Sequence, residues 1–348
     1  MDKNKLGLRF SYHIYKSRNI KYRVFDQYKD LAQEQFPSSL MQVLFSEETN
    51  AFVDKEIKEC ARLNFRICSY WDTEYPSSIR HFKNMPPCLY IEGELPGQET
   101  AIAIVGSRKA SSYGLSTAYA FAKELVKQGK VIVSGLAYGI DTQAHQGALD
   151  ASGKTVAVFA CSLEHSYPKS NQNLRNKILK NGAVLSEFPL GTPPAPYLFP
   201  VRNRIISALS QAVLVVEAAE KSGALITVDY ALDQGKEIFA IPGNINNTLS
   251  KGTNQLIKNG ANLCNCIADV CPTEETSLFE KTIIENTTCI DDKSLNGSIL
   301  ALLASDALST AEIIEKSTSN PAETLHAITM LELNGEIELI AGKYVKKL

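Results

Sequence analysis

Apolar runs of four or five residues recur through the middle of this chain, and each is followed by a longer stretch with apolar positions at helical spacing. The runs are Ala101–Val105, Val131–Ser134, Thr155–Phe159, Ala183–Ser186, Ala212–Val216 and Glu237–Ile241. Between them lie helical patterns over Ser116–Lys127, Thr142–Leu149, Asn173–Lys180, Asn203–Leu209 and Thr227–Asp233. Short β-branched runs alternating with helices predict an α/β fold, a Rossmann-like and mostly parallel sheet with helices on both faces. Ligands of such open sheets bind beyond the carboxyl ends of the strands. This chain gathers its Gly, Ser, Arg and Pro residues there.

The flanks follow other patterns. Residues from Met1 to about Ile67 read as helical, with apolar positions at helical spacing in Ser39–Phe45 and Ala51–Leu63. A Pro-rich connection from Tyr75 to Pro87 leads into a short apolar strand, Cys88–Gly93. Glu274–Asn296 is polar, low in aromatics and reads as a linker. Three short helices follow, near Ser298–Ala304, Thr310–Glu315 and Pro321–Leu333, then a hairpin of Ile337–Ile340 and Tyr344–Val345. Three helices and a two-stranded wing describe a winged-helix-like module. The expected organisation is a helical region over 1–70, the Rossmann-like domain over 71–273, a linker over 274–296 and the winged-helix-like domain over 297–348.

Charge singles out the middle as the working surface. The 348 residues carry a formal net charge of −2, yet residues 101–210 hold 12 basic against 5 acidic side chains, a balance of +7. Residues 291–348 hold 5 basic against 9 acidic, a balance of −4. A polyanion is drawn to the former and repelled by the latter. No apolar run approaches the roughly 20 residues of a membrane span, and the first residues lack the apolar core of a signal peptide. Eight scattered cysteines then read as free thiols of a cytoplasmic protein. Cys264, Cys266 and Cys271 lack zinc-site spacing and have no histidine nearby, so no metal or other cofactor is expected.

The candidate chemistry is anion binding. Gly106, Ser107 and Arg108 close the first strand: glycine admits a ligand close to the backbone, a following helix N-terminus offers N–H groups, and Arg108 adds a planar cation. The loop is neither a G-x-G-x-x-G fingerprint nor a Walker loop. After the second strand Asp141 and His145 stand four apart, either an acid/base pair or half a metal site, or a helix cap with a hydrogen-bonded histidine. Lys169 and Asn171 follow the third strand. Phe199, Arg202 and Arg204 follow the fourth, a mixture of loop aromatic and cations suited to single-stranded nucleic acid, although either arginine could instead pair with Glu187 and brace the loop. Ser222 and Gly223 follow the fifth. So many anion-friendly tips suit a strand of phosphates better than one phosphate.

Ile104–Arg108, Ser134–His145, Phe199–Ile206, Ser222–Thr227 and Ala240–Gly243, taken in order, resemble the DNA-processing protein A (DprA/Smf) family. The resemblance covers roughly Tyr75–Leu263. It implies a dimeric, non-enzymatic binder of single-stranded DNA that protects incoming DNA in natural transformation and helps load the RecA recombinase, with single-strand binding protein as a further partner. It implies that Arg108 and Lys169 contact the DNA backbone and that Arg202, Asn203 and Arg204 lie near the same pocket. The chain departs from the family pattern in having Tyr138 where an arginine is usual and Ala208 where a glycine is usual. The acidic terminal module suits protein contact better than duplex binding. The competing reading is an enzyme of the nucleoside-monophosphate phosphoribohydrolase type. Those carry a Pro-Gly-Gly-x-Gly-Thr loop, whereas Pro242-Gly243 is followed here by Asn244.

Overall fold

Every one of the six apolar runs of the middle forms a strand, because each has too few residues for a stable helix and is apolar on both faces. The computed structural model describes residues 3–18, 20–97, 100–271, 295–305, 308–317, 320–334, 336–340 and 343–346. Its strands are β1 (Arg66–Ser69), β2 (Cys88–Gly93), β3 (Ala101–Val105), β4 (Val131–Ser134), β5 (Thr155–Phe159), β6 (Gly182–Ser186), β7 (Ala212–Val215), β8 (Glu237–Ala240) and β9 (Asn262–Leu263). They form one nine-stranded sheet in the order β1-β2-β6-β5-β4-β3-β7-β8-β9. From β6 to β9 all pairs are parallel, and β1 and β2 extend the β6 edge antiparallel. After β3 the chain builds outward through β4, β5 and β6, then returns to add β7 on the other side of β3. That reversal between β3 and β7 opens a crevice at the carboxyl ends of the strands.

The helices ahead of the sheet are α1 (Lys3–Ser11), α2 (Tyr22–Tyr28), α3 (Ser38–Leu44) and α4 (Glu47–Arg62), and α5 (Ser77–Arg80) lies between β1 and β2. Within it come α6 (Ser112–Lys127), α7 (Ile140–Asp150), α8 (Gln172–Ile178), α9 (Leu198–Ala208), α10 (Ala224–Asp233) and α11 (Lys251–Lys258). Strand alternation splits the core. Ile102, Ile104, Ile132 and Leu214 face α6 and α7, whereas Ala103, Val105, Val133 and Val213 share a cluster with Ile205, Val228, Phe10 and Phe25. The N-terminal helices are therefore built into the sheet's own core, and the described residues through Cys271 cluster as one unit.

Two sequence expectations need correction. The helical reading of the N-terminal region stops short of Arg66–Ser69, which pairs with β2 from Arg66 opposite Ile91 to Ser69 opposite Cys88. Asn64, at φ 59°, turns the chain out of α4 just before it, and a four-residue run has no periodicity by which to tell strand from helix. The second correction is α9, which starts at Leu198 rather than Asn203. Pro200 hides that start, yet it falls in the first turn, where no N–H bond is lost.

The C-terminal unit packs Leu295–Ser305, Thr310–Lys316 and Pro321–Leu333 with a hairpin of Ile337–Ile340 and Lys343–Lys346 around Ile299, Leu303, Ile313, Ile328 and Leu331. A capping box of Ser309 and Glu312 starts the second helix, and Asn320 with Pro321 starts the third. This is the expected winged-helix-like arrangement. The first helix takes in Leu295 and Asn296, the end of the expected linker. Residues 274–294 of that linker lie outside the described residues.

Helices α6 and α7 meet through Ala118, Ala122, Ala144 and Ala148, so closely that a Cβ on Gly147 would run into the backbone carbonyl of Tyr119. Alanine in place of a mid-helix glycine ordinarily gains about 1 kcal/mol, but overpacking against backbone costs about 1–3 kcal/mol. Gly147→Ala is expected to lower the urea midpoint. A raised midpoint would show that the two helices can separate at no cost.

Candidate nucleic-acid interface

The crevice between β3 and β7 is a pocket of about 690 Å³. Its walls are the β3–α6 loop (Gly106 to Lys109), the segment after β7 with the first turn of α10 (Ser222 to Thr227), one face of α9, and Pro194–Pro196 on the strap leading into α9. Phe199, Arg202, Asn203 and Ile206 stand at i, i+3, i+4 and i+7 and present that single face. The unexpected early start of α9 thus moves Phe199 from a loop onto a helix.

One helix N-terminus beside the pocket, that of α6, is already occupied by a carboxylate of the chain, and a second carboxylate ties the loop ahead of α7. Buried Glu217, just past β7, accepts the Ser111 N–H (2.9 Å) and the Ser111 hydroxyl at the start of α6. Gly114 leaves the room: a Cβ there would overlap the Glu217 carboxylate. Gly106 is wedged likewise, its absent Cβ 2.6 Å from the Ile140 side chain and 2.9 Å from the Glu217 carbonyl. The expectation that the first loop's helix N-terminus receives a ligand anion is corrected, since Glu217 occupies that position. Asp141, in the first turn of α7, ties the preceding loop instead. It accepts the N–H groups of Gly135 (3.1 Å) and Ala137 (3.3 Å), while Gly139, at φ 75°, is the N-cap of α7. His145 pairs instead with Thr155 (2.7 Å) on β5. Asp141 and His145 form neither an acid/base pair nor a simple cap.

The N-terminus of α10 is exposed, although its first two N–H groups, of Ala224 and Leu225, bond to Ser222. Gly223 is its exposed N-cap, with nothing within 4 Å of a notional Cβ, and Ser222 Oγ accepts the Ala224 N–H at 3.3 Å. Across the pocket the exposed Arg108 guanidinium lies 4.4 Å from the centroid of the Phe199 ring, whose other neighbour is Tyr167 at 5.4 Å. Arg202 lies at the floor, 3% exposed, and donates to the Val158 carbonyl (3.0 Å). Gly135 makes this possible, for a Cβ there would coincide with the guanidinium. Burial pushes the Arg202 pKa down to about 10 against the attraction of Asp141, so it stays cationic at neutral pH. Burial raises the Asp141 carboxyl, opposed by Arg202.

The other expected site residues divide. Gly106, Ser107, Arg108, Phe199, Arg202, Asn203, Ser222 and Gly223 meet at the pocket. Lys169 is exposed two residues beyond Tyr167, outside the lining. Asn171 is buried, with its amide donating to Leu136 O (3.0 Å) and Thr142 Oγ1 (2.9 Å), and so holds the β4–α7 loop together. Arg204 points away from the pocket into a buried ion pair with Glu187 at 2.6 Å, the bracing role that the sequence left open for it. Arg175, counted in the basic balance, is likewise taken up by Glu92. Tyr138 is half-exposed and outside the lining. Sequence reasoning missed Glu217 and the strap prolines; the only signal for Glu217 was a carboxylate at a strand's carboxyl end, where cations prevail.

A protein-family model described as DNA recombination-mediator protein A matches residues 66–275. The chain belongs to that family. A second, described as the DprA winged helix domain, matches residues 289–343. Protein Smf of Escherichia coli is 38% identical over 78% of this chain and 75% of its own length. The DNA processing protein DprA of Streptococcus pneumoniae is 40% identical over 64% of this chain and 77% of its own. The X-ray structure of that pneumococcal protein superposes with a TM-score of 0.61 at 33% identity, covering 77% of this chain and 92% of that one. The structure of DNA processing protein A from Helicobacter pylori, described for its single-stranded DNA binding mode, gives 0.54 at 32% identity, covering 59% and 93%. The DNA recombination-mediator protein A family is one of DNA-processing proteins and not of enzymes. Among the described residues no three His, Cys, Asp or Glu side chains are grouped to hold a metal, and no helix is long and apolar enough to cross a membrane.

His145 behind the pocket supplies a pH test. Thr155 Oγ1 donates to the Ile132 carbonyl and so accepts from His145 Nδ1, leaving Nε2 buried without a partner. Burial pushes its pKa down to about 3. Below pH ~6.5 the unfolded chain takes up a proton that the folded chain refuses, so stability falls as pH drops from about 6.5 towards 3. Between pH 7 and 5 this group is expected to cost about 2 kcal/mol. Urea titrations of the parent and His145→Gln should differ by that amount across the interval, and parallel curves would refute a buried neutral imidazole.

Proposed function

We propose that this protein binds single-stranded DNA along the β3–β7 crevice, protects incoming DNA and helps load the RecA recombinase, as in natural transformation. The observation that carries the reading is the stack of Arg108 on Phe199, beside Tyr167 and facing the exposed α10 N-terminus. A ring with a flanking cation accepts any base, and the helix end accepts a phosphate. Arg202 adds a buried charge at the floor, and Lys169 continues the exposed basic path beyond the lining. A homodimeric state, a cytoplasmic location, and RecA and single-strand binding protein as partners belong to the same reading, through the family.

The winged-helix unit serves protein contact in this reading. Its third helix, Pro321–Leu333, carries Glu323 and Glu332 but no Lys or Arg, and exposes Leu325 and Met330. A helix without cations releases no counterions from duplex DNA.

Fluorescence anisotropy with labelled oligo-dT tests the site. Arg108→Ala and Lys169→Ala should each weaken binding and reduce the log K against log salt slope by about 0.7. Phe199→Ala should cost about 1–3 kcal/mol and leave the slope unchanged. Binding by Arg108→Ala equal to the parent at physiological salt would overturn the assignment. Removal of residues 289–348 should leave oligo-dT affinity within twofold of the full chain, an estimate that follows from the unit's acidity; a tenfold loss would place DNA contacts in that unit.

A further inference from the structure

The pocket wall formed by residues 187–204 is held from behind by the N-terminal helices. Glu187 follows β6 and opens the strap; it is fully buried. Its carboxylate accepts two bonds from Arg204 (both 2.6 Å), one from the Tyr22 hydroxyl (2.7 Å) and one from the Tyr15 hydroxyl. Arg204 is on α9, two residues from Arg202, and also donates to the Tyr22 hydroxyl (2.9 Å) and the Asn84 carbonyl (2.7 Å). Near the start of the strap, Leu190 donates its N–H to Glu56 on α4 (2.7 Å) and accepts from Lys16 Nζ (3.0 Å). Tyr15 packs edge-on against Phe188, with centroids 5.5 Å apart. The first four residues of this wall and its far end are thus tied to side chains from the first 56 residues of the chain, none of which lines the pocket.

We infer that Tyr15 and Tyr22, with Lys16 and Glu56, are positioning residues for the DNA site: they set the angle of α9 and the course of the strap, and thereby the placement of Phe199 and Arg202. The inference rests on the single-stranded DNA reading above. Burial drives the pKa of both tyrosines well above the usual value, followed by Glu187 for Tyr15 and opposed by Arg204 for Tyr22, so both hydroxyls keep their protons and remain donors. Arg204 is pulled down by burial and up, on balance, by Glu187, so its guanidinium keeps its charge and remains a donor. A carboxylate with four donors has one low-energy position, and loss of two of them frees it to tilt with Arg204. The ligand-facing residues of α9 move with it because they share one rigid helix.

The test is the Tyr15→Phe/Tyr22→Phe double variant of the full chain, with Tyr70→Phe as control. Tyr70 donates to Asp30 (2.7 Å) within the same region but does not touch the wall. The double variant is expected to bind oligo-dT about fivefold more weakly, a size typical of residues that act without touching ligand. Its salt slope should stay at the parent's value, since no phosphate contact is removed. Hydrogen exchange should quicken at residues 188–197 and stay unchanged in β3, β4 and β5. Lys16→Met, a change at a surface side chain that cannot unfold the core, should show the same pattern in weaker form. Parent-like affinity in both variants, or weakening matched by Tyr70→Phe, would overturn the inference. Exchange quickened throughout the sheet would do so as well, because the hydroxyls would then serve only general stability. If the parent itself fails to bind oligo-dT, the proposed function fails instead.

Discussion

The ion pair between Glu187 and Arg204 is the interaction on which the rest of the first unit depends. Both side chains are almost wholly withdrawn from water, and an isolated buried charge would cost several kcal/mol. Their mutual attraction offsets that cost only because the guanidinium nitrogens and both carboxylate oxygens all have partners: two tyrosine hydroxyls, the Asn84 and Val201 carbonyls, and a second bond between the pair itself. Removing one partner leaves the other charge stranded, a loss on the order of 3–5 kcal/mol. The pair therefore acts as a registry device. It is satisfied only when the end of β6, helix α9 and the N-terminal helices are all in place, so it joins the sheet, the pocket wall and the first helices into one object.

A second constraint shapes what the pocket can hold. An open α/β sheet puts several helix N-termini at its ligand edge, and each attracts an anion. Here Glu217 fills that of α6 internally, and Glu217 and Asp141 stitch the β3–α6 and β4–α7 loops. These loops are rigid walls rather than phosphate cradles, which is why neither dinucleotide nor Walker patterns are found in them. Anion affinity is left to the α10 N-terminus and to arginines, one exposed on an aromatic ring and one buried. Widely spaced anion sites with a stacking surface between them suit a flexible polyanion better than a compact triphosphate.

The basic balance of the middle segment shows how a sequence-level charge count translates into structure. Arg175 is consumed by the partly exposed Glu92 and Arg204 by the buried Glu187, and Lys127 by Glu124 on the surface. What remains at or near the pocket is a small set: Arg108, Lys109 and Lys169, all exposed, and Arg202 buried at the floor. The count located the working region correctly, but its size overstated the charge available to a ligand.

Strand positions, the parallel sheet and the winged-helix-like unit were legible in the chain itself, because hydrophobic period and glycine or proline punctuation are local properties. Ala101–Val105 and Pro321–Leu333 could be read to the residue for that reason. The loop glycines and Arg108 were legible as anion chemistry, and five ordered motifs made the family resemblance specific. The division between Arg202 and Arg204 was not legible. They are two residues apart on one helix, so the same sequence environment sends one to the pocket floor and the other to Glu187, and only helical phase together with the position of β6 decides which. The start of α9, masked by Pro200, hid that phase. Glu217 and Glu187 look alike as carboxylates after strands, yet one caps α6 and the other anchors α9. Their partners lie 106 and 17 residues away along the chain, and contacts at such separations exist only once the sheet has ordered its strands. Local pattern determined which elements form; tertiary packing decided which charges face water, which face ligand and which face each other.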